Sequence, residues 1–300
     1  MGDTAAFCDN CPWKAQCSGW PGCLGAEDHA YCKTCHYCCP ADPDRFGSMV
    51  NEVGGLQLTD VRARQQPIPD LPRTVVKFRD GDNARRWPPE HVLATTLPAI
   101  INRQASVRSI REQNWVAPHS LLIIDGCCRD DVLEDLWLRR HTASLYRVLQ
   151  AEAPCLIVAP DMSLYPEMSP CHKLYQIKRT FLMYEHFQQH GFATVPLLSP
   201  DAPAHARYLA SWLRLNPCVT TVASSFQTLH KRKRLWLRHL RLLRLIQGSV
   251  PRQLVWMLIG QSDDPRHALE AQLGSVRFIV AGPKFRRMRH PRDASLQLPI

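Results

Sequence analysis

Short apolar runs alternate with amphipathic stretches through the second half of the chain. Six runs after Pro118 have the length of a β-strand: Leu121–Ile124, Cys155–Ala159, Ala193–Leu198, Val219–Ala223, Leu254–Ile259 and Arg277–Ala281. Helical periodicity fills the intervals near 130–150, 171–190, 202–215, 228–247 and 264–273. Continuous apolar strands separated by amphipathic helices are typical of a parallel sheet that is covered on both faces.

These strands, with a seventh at Thr74–Phe78, predict an α/β fold. We expect a TIM-barrel-like parallel sheet that is incomplete or irregular, preceded by an N-terminal Cys-rich metal-binding module. An open doubly wound sheet is the alternative, because the pattern does not fix closure of the sheet. In both folds the functional residues are expected at the carboxyl ends of the strands.

Changes in composition divide the chain into four segments. We expect a Cys-rich module at 1–46, a connector that wraps the barrel at 47–118, the barrel-like domain at 119–285 and a basic tail at 286–300. No apolar run approaches the length of a membrane helix, and the N-terminus lacks the basic and apolar regions of a signal peptide. A cytoplasmic protein with no membrane partner is therefore the expectation.

Thirteen cysteines are present, and their clustering predicts a metal site. Eight lie close together near the N-terminus: Cys8, Cys11, Cys17, Cys23, Cys32, Cys35, Cys38 and Cys39. Their spacings are C-x2-C-x5-C-x5-C and C-x2-C-x2-C-C-P, and close pairs of this kind present two thiolates to one metal centre. Zinc would take four such ligands in a structural knuckle, with His29 or His36 as possible substitutes, and a 4Fe–4S cluster would take four thiolates. Zinc, an iron–sulfur cluster and unligated cysteines remain open alternatives.

Two aspartates follow predicted strands. Asp125 ends the run from Leu121, and Asp161 ends the run from Cys155. Two carboxylates at the mouths of neighbouring strands could act as nucleophile and general acid/base, or could hold a hard cation. The alternative is that each caps the helix that follows it. Further polar residues that follow strands would ring the same mouth: Ser199, Asp201, Ser224, Ser225, Gly260, Gln261, Ser262, Gly282 and Lys284.

The formal net charge is +10, although the first 50 residues contain more acidic than basic side chains. Positive charge is concentrated in a first patch between His230 and Ile246 and in a second patch after the last strand. Candidate contacts to nucleic acid or phosphate are Lys231, Arg232, Lys233, Arg234, Arg238, Arg241, Lys284, Arg286 and Arg287. Such patches suit a nucleic-acid backbone or a phosphorylated substrate, and a solvated face without a specific partner is the alternative. Trp236, within the first patch, is expected to pack in the core.

Three segments carry a resemblance to a known family. These are Val158-Ala-Pro-Asp161-Met-Ser163-Leu-Tyr165, the helix with Tyr175-Gln-Ile-Lys178-Arg179, and Gly191-Phe-Ala-Thr-Val-Pro196. Over roughly residues 118–285 the chain resembles an uncharacterised family of phages and other mobile elements that has a P-D-[FM]-S-x-Y strand end. The resemblance implies a barrel-like fold and supplies no activity.

The architecture and the paired strand-end aspartates also resemble, more weakly, the tRNA-guanine transglycosylase superfamily. That likeness implies one aspartate as nucleophile at a ribose and another as base on the incoming purine. The C-terminal zinc motif of the superfamily is missing from this chain.

Three functional hypotheses follow from these features. The first is a metal- or iron–sulfur-containing enzyme that acts on nucleic acid or a nucleotide by glycosidic cleavage or base exchange, with Asp161 and Asp125 as its catalytic pair. The second is a non-catalytic, metal-dependent nucleic-acid-binding protein of a mobile element. The third is a redox or sulfur-transfer role centred on a cluster. The sequence leaves open whether the protein is an enzyme.

Overall fold

The structure is a computed structural model that describes residues 43–78, 92–101, 109–114, 116–165, 168–229, 232–260 and 266–280. The eight N-terminal cysteines and the predicted basic tail lie outside the described residues. The first described element is helix α1, Pro43–Glu52. The N-terminal metal-binding module therefore stays a prediction.

The described strands form one parallel sheet of eight strands. They are β1 Thr74–Lys77, β2 Leu93–Thr96, β3 Leu122–Asp125, β4 Cys155–Val158, β5 Ala193–Val195, β6 Thr221–Ser225, β7 Val255–Ile259 and β8 Val276–Val280. Their order is β5-β4-β3-β2-β1-β8-β7-β6. Strand β1 thus pairs with both β2 and the last strand, β8, as in a barrel.

The two outer strands of this order meet just beyond the end of β5. Leu197 forms a parallel bridge with Ala223 of β6. The backbone N–H of Leu198 donates to the carbonyl of Ala223 at 2.8 Å, and the N–H of Ala223 donates to Pro196 at 2.9 Å. The sheet is therefore nearly closed, which confirms the prediction of an irregular TIM-barrel-like fold and excludes the open doubly wound alternative.

Helices surround the sheet. They are α2 Leu97–Ile101, α3 Ile110–Asn114, α4 Asp130–Leu138, α5 Ala143–Gln150, α6 Pro170–Gln189, α7 Pro203–Leu215, α8 Lys233–Ser249 and α9 Arg266–Leu273. The single helix predicted near 130–150 is two helices, because the chain turns at 139–142. Ser169 begins α6 as an N-cap whose hydroxyl accepts from the backbone N–H of His172.

Segment 47–118 supplies part of the barrel as well as a wrapping stretch. It contains β1 and also β2, which the hydrophobic pattern did not predict. Between α1 and β1 it runs over the outer helices, where the indole N–H of Trp212 donates to the carbonyl of Val61 at 2.9 Å. Nearby, the buried ammonium of Lys178 donates to the carbonyl of Gln57 at 2.7 Å and pairs with Asp60. The barrel thus begins before residue 119.

The core fills the barrel and the layer between strands and helices. Every residue of β3 and β4 is buried, as expected for central parallel strands. Trp212 and Trp256 are among the largest fully buried side chains. Trp236 is partly buried, and its ring lies 5.9 Å from that of Phe226. Among the described helices, none is both long and apolar enough to cross a membrane.

Candidate active site

Asp125 is the last residue of β3 and is fully buried at the carboxyl end of the barrel. Its Oδ2 forms an ion pair with the ammonium of Lys77, the last residue of β1. The same oxygen accepts from Nε2 of Gln227 at 3.3 Å, while Oδ1 accepts from the backbone N–H of Cys127 at 2.9 Å. Both oxygens of this carboxylate are therefore occupied by donors.

Asp161 follows the adjacent strand and lies three residues beyond the end of β4. Its backbone N–H donates to Gly126 at 3.3 Å, and its Oδ1 accepts from the hydroxyl of Ser199 at 2.8 Å. Solvent reaches part of the residue. Burial of the carboxyl raises the pKa of Asp161 to about 6; the hydrogen bond from Ser199 opposes this shift, and the negative charges of Asp125 and Asp130 add to it.

These environments give the two predicted carboxyl groups different roles. Asp125 is enclosed and paired with a cation, so a substrate atom cannot readily approach its oxygens. The residue Asp161 is half-buried, and its carboxyl can carry a proton near neutral pH, which suits a general acid or base. Both residues follow neighbouring strands, and the raised pKa distinguishes Asp161 as the candidate for proton transfer.

Asp130, at the start of α4, anchors the loop that carries Asp161. Its Oδ1 accepts from the hydroxyl of Ser163 at 2.6 Å, and its Oδ2 accepts from the hydroxyl of Tyr165. The serine and tyrosine of the P-D-M-S-x-Y run thus bind back to the β3 side of the mouth. Sequence reasoning missed Asp130, because this acid reads as an ordinary residue of a helix N-terminus.

Helix α8 is fixed to the strand ends by a buried polar contact. The hydroxyl of Ser224 lies 2.7 Å from the carbonyl of Leu198 and 2.9 Å from Nε2 of His239 on α8. Burial lowers the pKa of His239 to about 4. Because the imidazole is then neutral at physiological pH, it serves to position the helix and not to carry charge.

A second contact joins the same helix to the loop after β5. The guanidinium of Arg238 donates to the backbone carbonyl of Asp201 at 2.5 Å. The carboxylate of Asp201 also pairs with Lys173 of α6 at 2.5 Å. The first turns of α8 are therefore held at the rim of the mouth.

The two cysteines after β3 are poor nucleophiles. Burial and the nearby Asp125 and Asp161 raise the pKa of both thiols, that of Cys128 to about 12. Both thiols are therefore protonated at physiological pH. Cys127 packs in the core, which agrees with a packing role for this pair.

A cavity of about 10 Å³ lies beside the carboxyl of Asp161. Its polar lining includes Ser199 and Thr180, and apolar side chains from the segments that follow β4 and β5 and from α6 and α7 form the rest. This volume corresponds to about one water molecule.

Gly126 allows the loops after β3 and β4 to approach each other. A Cβ atom at this position would lie 2.5 Å from the carbonyl oxygen of Val158 and 2.7 Å from that of Ala159. We expect Gly126→Ala to destabilise the protein by about 1–3 kcal/mol, because these backbone atoms must shift. Chemical denaturation checks this value. The matched control is Gly248→Ala in α8, where a Cβ meets nothing within 4 Å and should stabilise the helix by about 0.5–1 kcal/mol.

The other predicted site residues divide by position. Arg232, Lys233, Arg234, Arg238 and Arg241 are exposed at the start of α8. Residues outside the described part are Lys231, Lys284, Arg286, Arg287 and the cysteines Cys8, Cys11, Cys17, Cys23, Cys32, Cys35, Cys38 and Cys39. Among the described residues, no group of three or more His, Cys, Asp or Glu side chains could hold a metal ion.

No known family model matches this chain, and no curated protein matches it. The likenesses to the mobile-element family and to the transglycosylase superfamily therefore remain predictions.

Proposed function

We propose that this protein is an enzyme that cleaves or exchanges a glycosidic bond in a nucleotide or nucleic acid. The reaction would take place at the carboxyl end of the barrel, where Asp161, Ser199 and Lys77 lie close to the ends of β4, β5 and β1. In TIM-barrel enzymes this end carries the active site. The basic rim of α8 supports a substrate that bears phosphate.

The observation that carries the proposal is the contrast between the two strand-end carboxyl groups. Asp125 is ion-paired with Lys77, whereas the pKa of Asp161 is raised to about 6. A pair of acids whose environments differ in this way is typical of sites that use one of them for proton transfer. Asp161 is the group that can hold a proton near neutral pH and release it to a leaving group.

In the proposed reaction, protonated Asp161 donates its proton to the departing base as the bond between base and sugar breaks. The pair of electrons in that bond leaves with the base, and positive charge develops on the sugar. Water, or an incoming base in the exchange reaction, then attacks the sugar carbon and loses its proton to the Asp161 carboxylate. The hydroxyl of Ser199 orients this carboxyl through its hydrogen bond to Oδ1.

Lys77 would contact the substrate through its remaining N–H groups. An ammonium has three donors, and among the described residues Lys77 uses one of them, for Asp125. In this proposal Asp125 is a positioning residue, because it holds the lysine and does not touch the substrate. This assignment differs from the sequence prediction, in which Asp125 and Asp161 share the nucleophile and acid/base roles.

The test is an assay for released base. The purified chain is incubated with ribonucleoside and deoxyribonucleoside 5′-phosphates and with oligonucleotides, and free base is separated by chromatography. A second set of reactions contains labelled free base to detect exchange. The proposal expects base release or exchange with at least one substrate and its loss in Asp161→Asn; activity that survives this substitution would contradict it.

A second candidate function is a non-catalytic nucleic-acid-binding protein. The observation that favours it is the set of exposed cations on α8. Under this alternative, no base is released and Asp161→Asn changes the affinity for nucleic acid little. Measuring base release and nucleic-acid affinity of both the wild-type chain and Asp161→Asn thus separates the enzyme from the binding protein.

The N-terminal cysteines are proposed to hold zinc or an iron–sulfur cluster. We expect protein purified without oxygen to contain either stoichiometric zinc and no visible colour, or iron with acid-labile sulfide and a broad visible absorption. Metal and sulfide analysis of the full chain measures this directly. Replacing Cys32 and Cys35 by Ser should remove the metal that the second group of cysteines binds, with Cys155→Ser as the control outside both groups. Protein that contains neither metal would contradict the ligation hypothesis.

A further inference from the structure

Helix α8 presents a continuous cationic face to solvent. Lys233, Arg234, Arg238, Arg241 and Arg244 are all exposed. At 100° per residue these positions fall on one side of the helix, opposite the buried Leu243 and Ile246. We refer to these five basic residues as the α8 strip.

Among the described residues, little negative charge compensates the α8 strip. Arg238 lies 3.6 Å from the carboxylate of Asp201, and the other four members form no ion pair with any described residue. The helix itself contains no acidic residue. Acids placed at i+3 or i+4 from these cations would stabilise the helix and lower its charge. This helix maintains a row of like charges instead, and that arrangement favours a polyanion.

The α8 strip begins at the rim of the candidate active site. Arg238 donates to the loop after β5, and His239 contacts Ser224 at the end of β6. Asp161 is hydrogen-bonded to Ser199 in that same β5 loop region. A chain of phosphates on the strip would therefore pass beside the mouth that holds Asp161.

The dimensions of the strip suit a polymer better than a single phosphate. From Lys233 to Arg244 the helix advances about 16 Å at the usual rise per residue. That length corresponds to about five nucleotides at the ~3.4 Å rise of a stacked strand. Leu237 lies among the cations and is 38% exposed, so an apolar surface is available to a sugar or a base.

We propose that the α8 strip binds the sugar–phosphate backbone of a polynucleotide and delivers one nucleotide of that strand to the barrel mouth. The inference rests on the proposed function in one respect, since it names a nucleotide within a strand as the substrate. The binding itself does not depend on catalysis. Charge complementarity, the length of the strip and its attachment to the mouth all support this occupant.

The experiment measures binding of a fluorescent 20-nucleotide single strand by anisotropy across a series of salt concentrations, with the full chain. The test variant is Arg234→Glu/Arg241→Glu/Arg244→Glu, which leaves Arg238 and its contact to Asp201 intact. The control is Arg62→Glu/Arg64→Glu/Arg147→Glu. These three arginines are also exposed, lie outside α8, and undergo the same change of charge.

We expect the strip variant to bind at least about 100-fold more weakly than the control. The slope of log affinity against log salt should fall by about 2, since each lost phosphate contact contributes about 0.7 for a single strand. Equal affinities and slopes for the two triple variants would overturn the inference. Preferential binding of the wild-type chain to phosphatidylserine vesicles over the oligonucleotide, lost in the strip variant, would also overturn it.

Failure of this inference is distinguishable from failure of the proposed function. If the strip variant loses affinity while the wild-type chain releases no base, the α8 strip is supported as a binding surface and the proposed enzymatic activity is contradicted. If base is released and the strip variant keeps full affinity, the enzyme stands and the strip is not its binding surface. Circular dichroism of both variants shows whether the fold is retained.

Discussion

Replacing Asp161 by Asn is expected to lower turnover of a productive substrate by about 10²- to 10⁴-fold, the usual contribution of a positioned proton donor. Asn keeps the size of the side chain and can still accept a hydrogen bond from Ser199, so substrate binding should change little. The loss should therefore appear in kcat and not in KM. Steady-state kinetics on the substrate found in the base-release assay measure both quantities.

The pH dependence gives a further signature of the same residue. A general acid must be protonated, so kcat/KM of the wild-type enzyme should fall as the pH rises above about 6, the pKa of Asp161. Activity that rises through this window would identify a base as the essential form. The Asp161→Asn variant should lack this transition.

The substitution should at the same time stabilise the fold at high pH. The pKa of Asp161 is about 3.9 in the unfolded chain and about 6 in the folded one, so the folded state binds the proton more tightly. Stability contributed by this residue is therefore highest below pH 4 and is lost as the pH rises through 6. Allowing for partial exposure to solvent, we expect Asp161→Asn to raise the free energy of unfolding by about 1–2 kcal/mol at pH 8 and to change it little at pH 3.5.

The matched control for these measurements is Asp135→Asn on α4. Asp135 is exposed and pairs with Arg139 on the same helix. Its replacement should leave kcat unchanged and alter the free energy of unfolding by less than about 0.5 kcal/mol. A variant of Asp161 that loses stability at pH 8 and keeps its turnover would contradict the assignment of this residue as a proton donor.

Removing one partner of the Lys77–Asp125 pair is expected to destabilise the protein by about 3–5 kcal/mol. Lys77→Met leaves the carboxylate of Asp125 buried without its cation, since that side chain is fully enclosed and the lysine side chain is 9% exposed. The remaining donors, Gln227 and the backbone of Cys127, do not neutralise the charge. Urea denaturation at pH 7 measures the loss.

Two further variants separate the ion pair from loss of packing. Lys77→Met/Asp125→Leu replaces both charges by apolar groups, and it should recover most of the stability lost in the single variant. Arg139→Met breaks an exposed pair and should cost at most about 0.5 kcal/mol. If the double variant is as unstable as Lys77→Met, the uncompensated charge is not the cause of the loss.

The recovery experiment also bears on function. The double variant should fold and still lack turnover, because Lys77 provides the substrate contact and Asp125 holds it in place. Turnover that survives in this folded variant would show that the pair has a structural role only.

The strand positions were predictable because of where parallel strands lie in a barrel. Residues of β3 and β4 are buried on both faces, so only continuous apolar runs can fill those positions. Strand β2 escaped prediction because Leu93-Ala-Thr-Thr96 has no such run; Thr95 is nevertheless buried between β1 and β3. Backbone pairing with two neighbours made this segment a strand, and its own hydrophobicity did not.

The location of the candidate site was also determined by the sequence, and its chemistry was not. The alternation of strands and helices implies that Asp125 and Asp161 follow strands and that their side chains lie at one end of the sheet. Which of the two carries a proton depends on groups that are distant along the chain. Lys77 lies 48 residues before Asp125, and Gln227 lies 102 residues after it.

By itself the sequence thus determined the fold class and the end of the barrel at which chemistry is expected. Hydrophobic periodicity is a local property of the sequence. A strand that is buried on both faces can be recognised from its own residues, because they form a continuous apolar run. The tertiary structure alone decided that Asp125 is paired, that the pKa of Asp161 is raised, and that Asp130 and His239 hold the surrounding loops. Charge pairing and desolvation arise only when separate strands are brought together, and desolvation is the main cause of the raised pKa of Asp161.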